Sequence, residues 1–120
     1  MKSLIISLSI ILAFSCCYGQ KLCSDLPDKF SSYSEAIKQI EAAHFQLTDA
    51  LPDYKSSWIA SAKWYSCDAR VGYLIYTTDK GRSYIHEKVP IVIWSNFKMA
   101  ISSGSYYVQN IKGEYRLIPD

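Results

Sequence analysis

Four side chains invite a search for chemistry first: His44, His86, Cys23 and Cys67. An imidazole serves as general acid, general base or metal ligand, and a thiolate attacks or ligates, but each needs partners at a workable spacing. Two cysteines and two scattered histidines give no zinc-ligand spacing. Neither cysteine sits beside a helix start or a histidine in the sequence, so a reactive thiol is not expected. His86 lies in "GRSYIHEKVPIVIW", Gly81 to Trp94. No Asp, Glu, Cys or Ser stands where it would orient or activate that ring. His86 is therefore expected to pack or to make a surface hydrogen bond. His44 falls on an apolar helical stripe and is expected to be a half-buried packing residue. Gly-rich phosphate loops, nucleophile motifs and metal signatures are missing, as is any Asn-x-Ser/Thr sequon. We expect no catalytic residue, no metal and no cofactor, and the functional reading passes to binding.

The elements that must position these residues read as follows. "SYSEAIKQIEAAHFQL" predicts a helix. Ser32 and Glu35 stand at capping-box spacing, and Tyr33, Ala36, Ile37, Ile40, Ala43, His44 and Leu47 share one face. "TDALPDYKSS", Thr48 to Ser57, is rich in turn residues and reads as a connector. "WIASAKWYSC", "VGYLIYTT" and "RSYIHEKV" read as three strands. The "DKG" between the last two fits a short hairpin loop with Gly81 in the left-handed position. Pairing Thr78 with Arg82 sets Tyr76 against Tyr84 and Leu74 against His86, with Tyr73, Ile75 and Ile85 on the opposite side. Both faces of the hairpin are thus apolar. Pro90 opens a second helix with Ile93, Trp94, Phe97, Ala100 and Ile101 as its stripe. Gly104 reads as a stop, followed by a short helix carrying Tyr106, Tyr107 and Ile111. The expected class is α+β: a small three-stranded antiparallel sheet, the C-terminal helical segment on one face and the N-terminal helix on the other.

The start of the chain is of another kind. Lys2 precedes the apolar run Leu4 to Phe14, which is too short to span a bilayer, and Cys17 and Gly19 place small residues before Gln20. This is the pattern of a secretory signal peptide, residues 1–19, with lipoprotein processing at Cys16 or Cys17 as the alternative. Export puts the remaining Cys23 and Cys67 in an oxidising compartment, where we expect them to pair. Closing that loop stabilises the fold by about 3–4 kcal/mol in the chain-entropy model. Residues 20–120 carry 12 basic and 11 acidic side chains, a net of +1. Such a balance gives no electrostatic footprint for nucleic acid or an anionic membrane. Ten Tyr and three Trp raise the aromatic share to 14%, which suits a small core and a binding surface equally.

"SSWIASAKWYS", "YLIYTTDKGRSYIHEKVP" and "FKMAISSGSYYVQNIKGEY" together resemble the KTSC domain, a short module named from the C-terminal extension of some lysyl-tRNA synthetases and also found as a stand-alone bacterial protein. The resemblance runs from about Ser56 to Arg116. Its landmarks are Ile59, the Gly81 turn, Tyr84, Val89-Pro90, Ala100, Ser102, Gly104, Tyr106-Tyr107 and Ile111. It implies residues 20–55 as an N-terminal helical arm and residues 56–120 as the KTSC-like domain. The chain departs where the family's Tyr-x-Tyr becomes Tyr84-Ile85-His86, and where Val108 replaces a frequent Asn. RNA binding, suggested for the family, would draw on Tyr84, Tyr106, Tyr107, Arg82, Lys112 and Arg116, with bases stacked and phosphates neutralised; export and the near-neutral charge oppose it. The leading expectation is a secreted, non-enzymatic binding module for a protein, peptide or glycan, its contacts drawn from Tyr84, His86, Tyr106, Tyr107 and Lys112. The alternatives are nucleic-acid binding and a small hydrolase using His86 with a nearby Tyr or Lys. The free edge of a small sheet leaves the oligomeric state open.

Overall fold

A computed structural model describes residues 20–52 and 57–119. The expected leader, with Cys16 and Cys17, lies outside the described residues, as do residues 53–56 of the connector. Among the described residues the fold is α+β, with three α-helices and a four-stranded antiparallel sheet. No helix among the described residues is long and apolar enough to cross a membrane.

Helix α1 spans Tyr33–Ala42. The Ser32 hydroxyl accepts from the Glu35 backbone N–H at 3.1 Å, the N-cap that the sequence spacing predicts. The helix is shorter than the apolar stripe suggests. Ala43 turns extended (φ −84°, ψ 159°), and the backbone of His44 is taken by a different partner: it accepts from Cys23 N–H at 2.9 Å and donates to Lys21 O at 2.8 Å. His44 is therefore exposed beyond the helix end, not half-buried on its stripe.

Strands β1 (Leu47–Ala50), β2 (Ile59–Ser66), β3 (Val71–Thr78) and β4 (Ser83–Pro90) follow in spatial order. The three-stranded expectation is thus corrected to four. β1 occupies the first part of the supposed connector, with Leu47 opposite Ser66 and Ala50 opposite Lys63. It is an edge strand of only four residues, and its polar Thr48 and Asp49 resemble a turn when read locally. The β3–β4 hairpin follows the predicted register, with Leu74 opposite His86, Ile75 opposite Ile85 and Tyr76 opposite Tyr84. Thr78 N–H donates to Arg82 O (2.8 Å), Gly81 N–H donates to Thr78 O (2.9 Å), and Gly81 sits at φ +83°. This is a three-residue loop closed by a left-handed glycine.

One irregularity shapes the rest of β4. Between the Leu74–His86 and Gly72–Val89 pairs, β3 advances two residues and β4 three. The extra residue makes a bulge, and Lys88 takes φ +56° there. Side chains on a regular strand alternate, so His86 and Val89 would point to opposite faces; the bulge returns both to the same one.

Helix α2 (Ile91–Met99) starts directly after Pro90. Its expected stripe stops early: Ala100 is extended and Ile101 is fully exposed. Helix α3 (Ser103–Asn110) is capped by Ser102, whose hydroxyl accepts from Ser105 N–H at 3.2 Å. Gly104 lies inside the first turn of α3 rather than stopping a helix. A Cβ there would stand 2.2 Å from Trp58 Nε1, so its lack of a side chain makes room for the indole.

Two buried clusters flank the sheet. The first gathers Leu51, Ile59, Ala62, Trp64, Leu74, Tyr76, Val89, Trp94, Phe97, Tyr107 and Ile111. The second gathers Phe30, Ala36, Ile40, Phe45, Tyr65, Ile75, Ile85 and Leu117. α2 and α3 contribute to the first, α1 to the second. Cys23 and Cys67 are bridged, with Cα atoms 5.8 Å apart, beside the second cluster. On the β1 edge Asp49 accepts from Trp94 Nε1–H at 2.9 Å and pairs with Lys98.

Candidate binding cleft

The sheet face of the first cluster carries a row of rings on β3 and β4. Cross-strand pairing sets Tyr84 against Tyr76 with centroids 5.2 Å apart and planes 22° apart. Tyr76 in turn lies 5.9 Å from His86 at 8°. Period-two alternation puts Tyr84 and His86 on this face, and the antiparallel register supplies Tyr76 between them. α3 adds Tyr107, 4.6 Å from Tyr76. Trp58, at the entry to β2, meets Tyr76 and Tyr107 edge-on at 6.2 and 5.9 Å.

Hydrogen bonds lock three of these rings in one direction. The Tyr115 carbonyl accepts from Glu87 N–H at 3.1 Å and also lies 3.2 Å from His86 Nδ1. A carbonyl only accepts, so Nδ1 carries the hydrogen and Nε2 is left as the acceptor. Tyr107 O–H donates to Nε2 at 3.0 Å, and Tyr76 O–H donates to the Tyr107 oxygen at 2.8 Å. Burial holds the His86 pKa below the ordinary histidine range, and the bond to Tyr115 only partly offsets that. Burial and the hydrogen bond to Tyr107 push the Tyr76 hydroxyl up. Burial pushes Tyr107 up as well, against the opposing hydrogen bond from Tyr76. The wall is thus uncharged at neutral pH, and its polar atoms are already paired.

The rings floor a cleft of about 560 Å³ that also touches Thr78, Val108, Lys112, Gly113 and Arg116. An adjoining hollow of about 360 Å³ shares Tyr84, His86, Tyr107 and Arg116 and reaches Tyr33 and Arg82. No carboxylate among the described residues lines either one. None of Arg82, Lys112 and Arg116 forms an ion pair with another described residue. No group of three or more His, Cys, Asp or Glu among the described residues is placed to hold a metal ion. The arrangement offers an aromatic floor, a cationic rim and a volume typical of small-ligand sites.

Of the five residues that the sequence singles out for contact, Tyr84, His86, Tyr107 and Lys112 meet at this cleft. Tyr106 does not: it is half-buried on the far side of α3, stacked on Phe97 at 6.1 Å. Its neighbour Tyr107 is one step, about 100°, round the helix, which sends the two rings apart. His86 packs, as expected, but within a hydrogen-bonded chain rather than an apolar contact. Trp58 and Tyr76 were not singled out. The hairpin register already paired Tyr76 with Tyr84, and that was the usable signal. Trp58 arrives through the space left by Gly104, which no local pattern announces.

No family model matches the chain, and no curated protein is detectably similar to it. Among solved structures, that of a KTSC domain protein from Yersinia pestis is 30% identical, covering 60% of this chain and 99% of that one, with a TM-score of 0.48. At that identity across nearly the whole Yersinia domain, the chain belongs to the KTSC domain family.

Proposed function

We propose that this chain is an exported, non-enzymatic binding module whose ligand, a segment of protein, peptide or glycan, seats in the cleft between Trp58, Tyr84 and Tyr107. The observation that carries this reading is the cleft itself: an exposed Tyr84 and a half-buried Trp58 over the buried rings of Tyr76, His86 and Tyr107, a cationic rim, and no carboxylate among the described residues that line it. The sheet is read as clamped between α1 on one side and α2 with α3 on the other, which the membership of the two clusters supports. Such a frame holds the rings rigid, so little side-chain freedom is lost on binding. Residues 1–19 act as the removed leader. Peptide and glycan arrays probed with the chain and with its Tyr84→Ala and Arg116→Gln variants test the reading. Signals that fade in both variants support it, and signals indifferent to them count against it. Mass measurement of the exported product is expected to place its start at Gln20, and a retained leader would refute export.

The hydrolase alternative rests on the 3.0 Å contact between His86 Nε2 and Tyr107 O–H. That nitrogen is occupied, and no carboxylate among the described residues lining the cleft assists it, so the pair reads as structural. Loss of a hydrolytic activity in His86→Ala at unchanged melting temperature would reverse this ranking. Nucleic-acid binding, the other alternative, predicts an affinity for single-stranded RNA that falls steeply with salt.

A further inference from the structure

The parallel run of rings has one open end. His86 and Tyr76 are buried, while Tyr84 is 40% exposed. A planar ring placed on Tyr84 would extend the stack. The cations Lys112 and Arg116 line the same cleft, and no carboxylate among the described residues lines it with them. Ring and charge together specify a ligand with a flat face and an anionic group. The cleft wall comes from the C-terminal end of α3, through Tyr107 and Val108. A helix C-terminus carries partial negative charge, whereas phosphate sites favour helix N-termini and nests of backbone N–H. A single carboxylate, matched by Arg116's planar fork, suits this site better than a phosphate dianion.

We infer that the cleft recognises an aromatic residue at the carboxyl terminus of a peptide, the ring lying on Tyr84 and the carboxylate held by Lys112 and Arg116. This rests on the cleft being the ligand site. The test titrates the full exported chain with N-acetylphenylalanine, N-acetylphenylalaninamide, N-acetylalanine and a 5′-mononucleotide, following backbone amide shifts by NMR. The free acid is expected to bind about tenfold or more tighter than the amide, since charge-assisted bonds are lost with the carboxylate. Tyr84→Ala is expected to weaken the acid by roughly three- to tenfold. Arg116→Gln and Lys112→Gln are expected to bring acid and amide to equal affinity. Tyr84→Phe keeps the ring and is expected to bind like the parent chain, which separates loss of stacking from loss of fold. Equal binding of acid and amide, tighter binding of the mononucleotide, shifts centred away from the cleft, or no binding by the acid would each overturn the inference. The array signals and their dependence on Tyr84 would still decide whether the cleft binds anything else.

Discussion

The two faces of one sheet do different work. The second cluster is largely dry: Phe30, Phe45, Ile40, Ile75, Ile85 and Leu117 fill it, and the Cys23–Cys67 bridge lies beside it. The first has a dry half, in which Trp64 and Trp94 stack at 6.3 Å, and a polar half around Tyr76, Tyr107 and His86. That polar half opens into a cleft floored by aligned rings, whereas the hollow of about 500 Å³ beside the second cluster is lined by Phe45, Tyr65 and Tyr73, whose rings meet tilted or edge-on. Alternation along β3 supplies both faces with apolar residues, so the contrast comes from what packs against them. α1 gives the second cluster Ala36 and Ile40, which carry no polar side-chain group. α3 brings a tyrosine whose hydroxyl must be satisfied, and the chain of donors that satisfies it ends near solvent.

The comparison breaks or sharpens under substitution, beginning with the largest effect. Trp64→Ala in the dry half should cost about 3–5 kcal/mol in chemical denaturation; a cost under about 1 kcal/mol would mean that the face is not a packed core. Cys67→Ser should cost about 2–4 kcal/mol. Hydrogen exchange should then rise first in α1 and in the second cluster; uniform loosening would deny that the bridge serves one face. Gly104→Ala should cost about 1–3 kcal/mol by forcing Trp58 aside, with a change in tryptophan emission as its signature.

Tyr107→Phe leaves the ring in place but removes a donor to His86 and an acceptor for Tyr76, for about 1–2 kcal/mol. pH sharpens the same point. The folded pKa of His86 lies below the unfolded value near 6.5. The unfolded chain therefore takes up the proton first as pH falls. Stability from this group is complete above about pH 6.5 and declines below it, until the folded form is protonated too. His86→Gln should flatten that part of the profile. The smallest effect belongs to the β1 edge. Burial raises the Asp49 pKa, but hydrogen bonds from Lys98 and Trp94 outweigh it and hold the carboxyl below its usual range. This pair is partly exposed, so Asp49→Asn should cost under about 1 kcal/mol. Its contribution should vanish only in strong acid, where the folded carboxyl is protonated.

Much of the cleft was written in local pattern. The turn residues "DKG" set the hairpin register, and the register placed Tyr76, Tyr84 and His86 on one face. Ser32 announced the start of α1, and Pro90 announced α2. What escaped reading depended on distant partners. β1 is a strand because Ser66 and Lys63 lie across from it, not because "LTDA" is a strand sequence. Gly104 looked like a terminator, since glycine ends helices more often than it makes room inside one. The His86 tautomer is set by a carbonyl 29 residues away, beyond any window of sequence.

The left-handed residue at Lys88 divides β4 into two lengths whose phases are set separately. Ahead of it, Tyr84 and His86 take their orientation from the hairpin; behind it, Val89 pairs with Gly72 and its carbonyl accepts from Trp64 Nε1–H at 3.1 Å, and Pro90 launches α2. The kink absorbs the one-residue discrepancy between these two systems of reference. A redesign of the ring row can therefore shift register or swap side chains through position 86 while the helix downstream keeps its bearing. Removing one residue at the kink would force the two to share a single phase, and one of them would have to turn over.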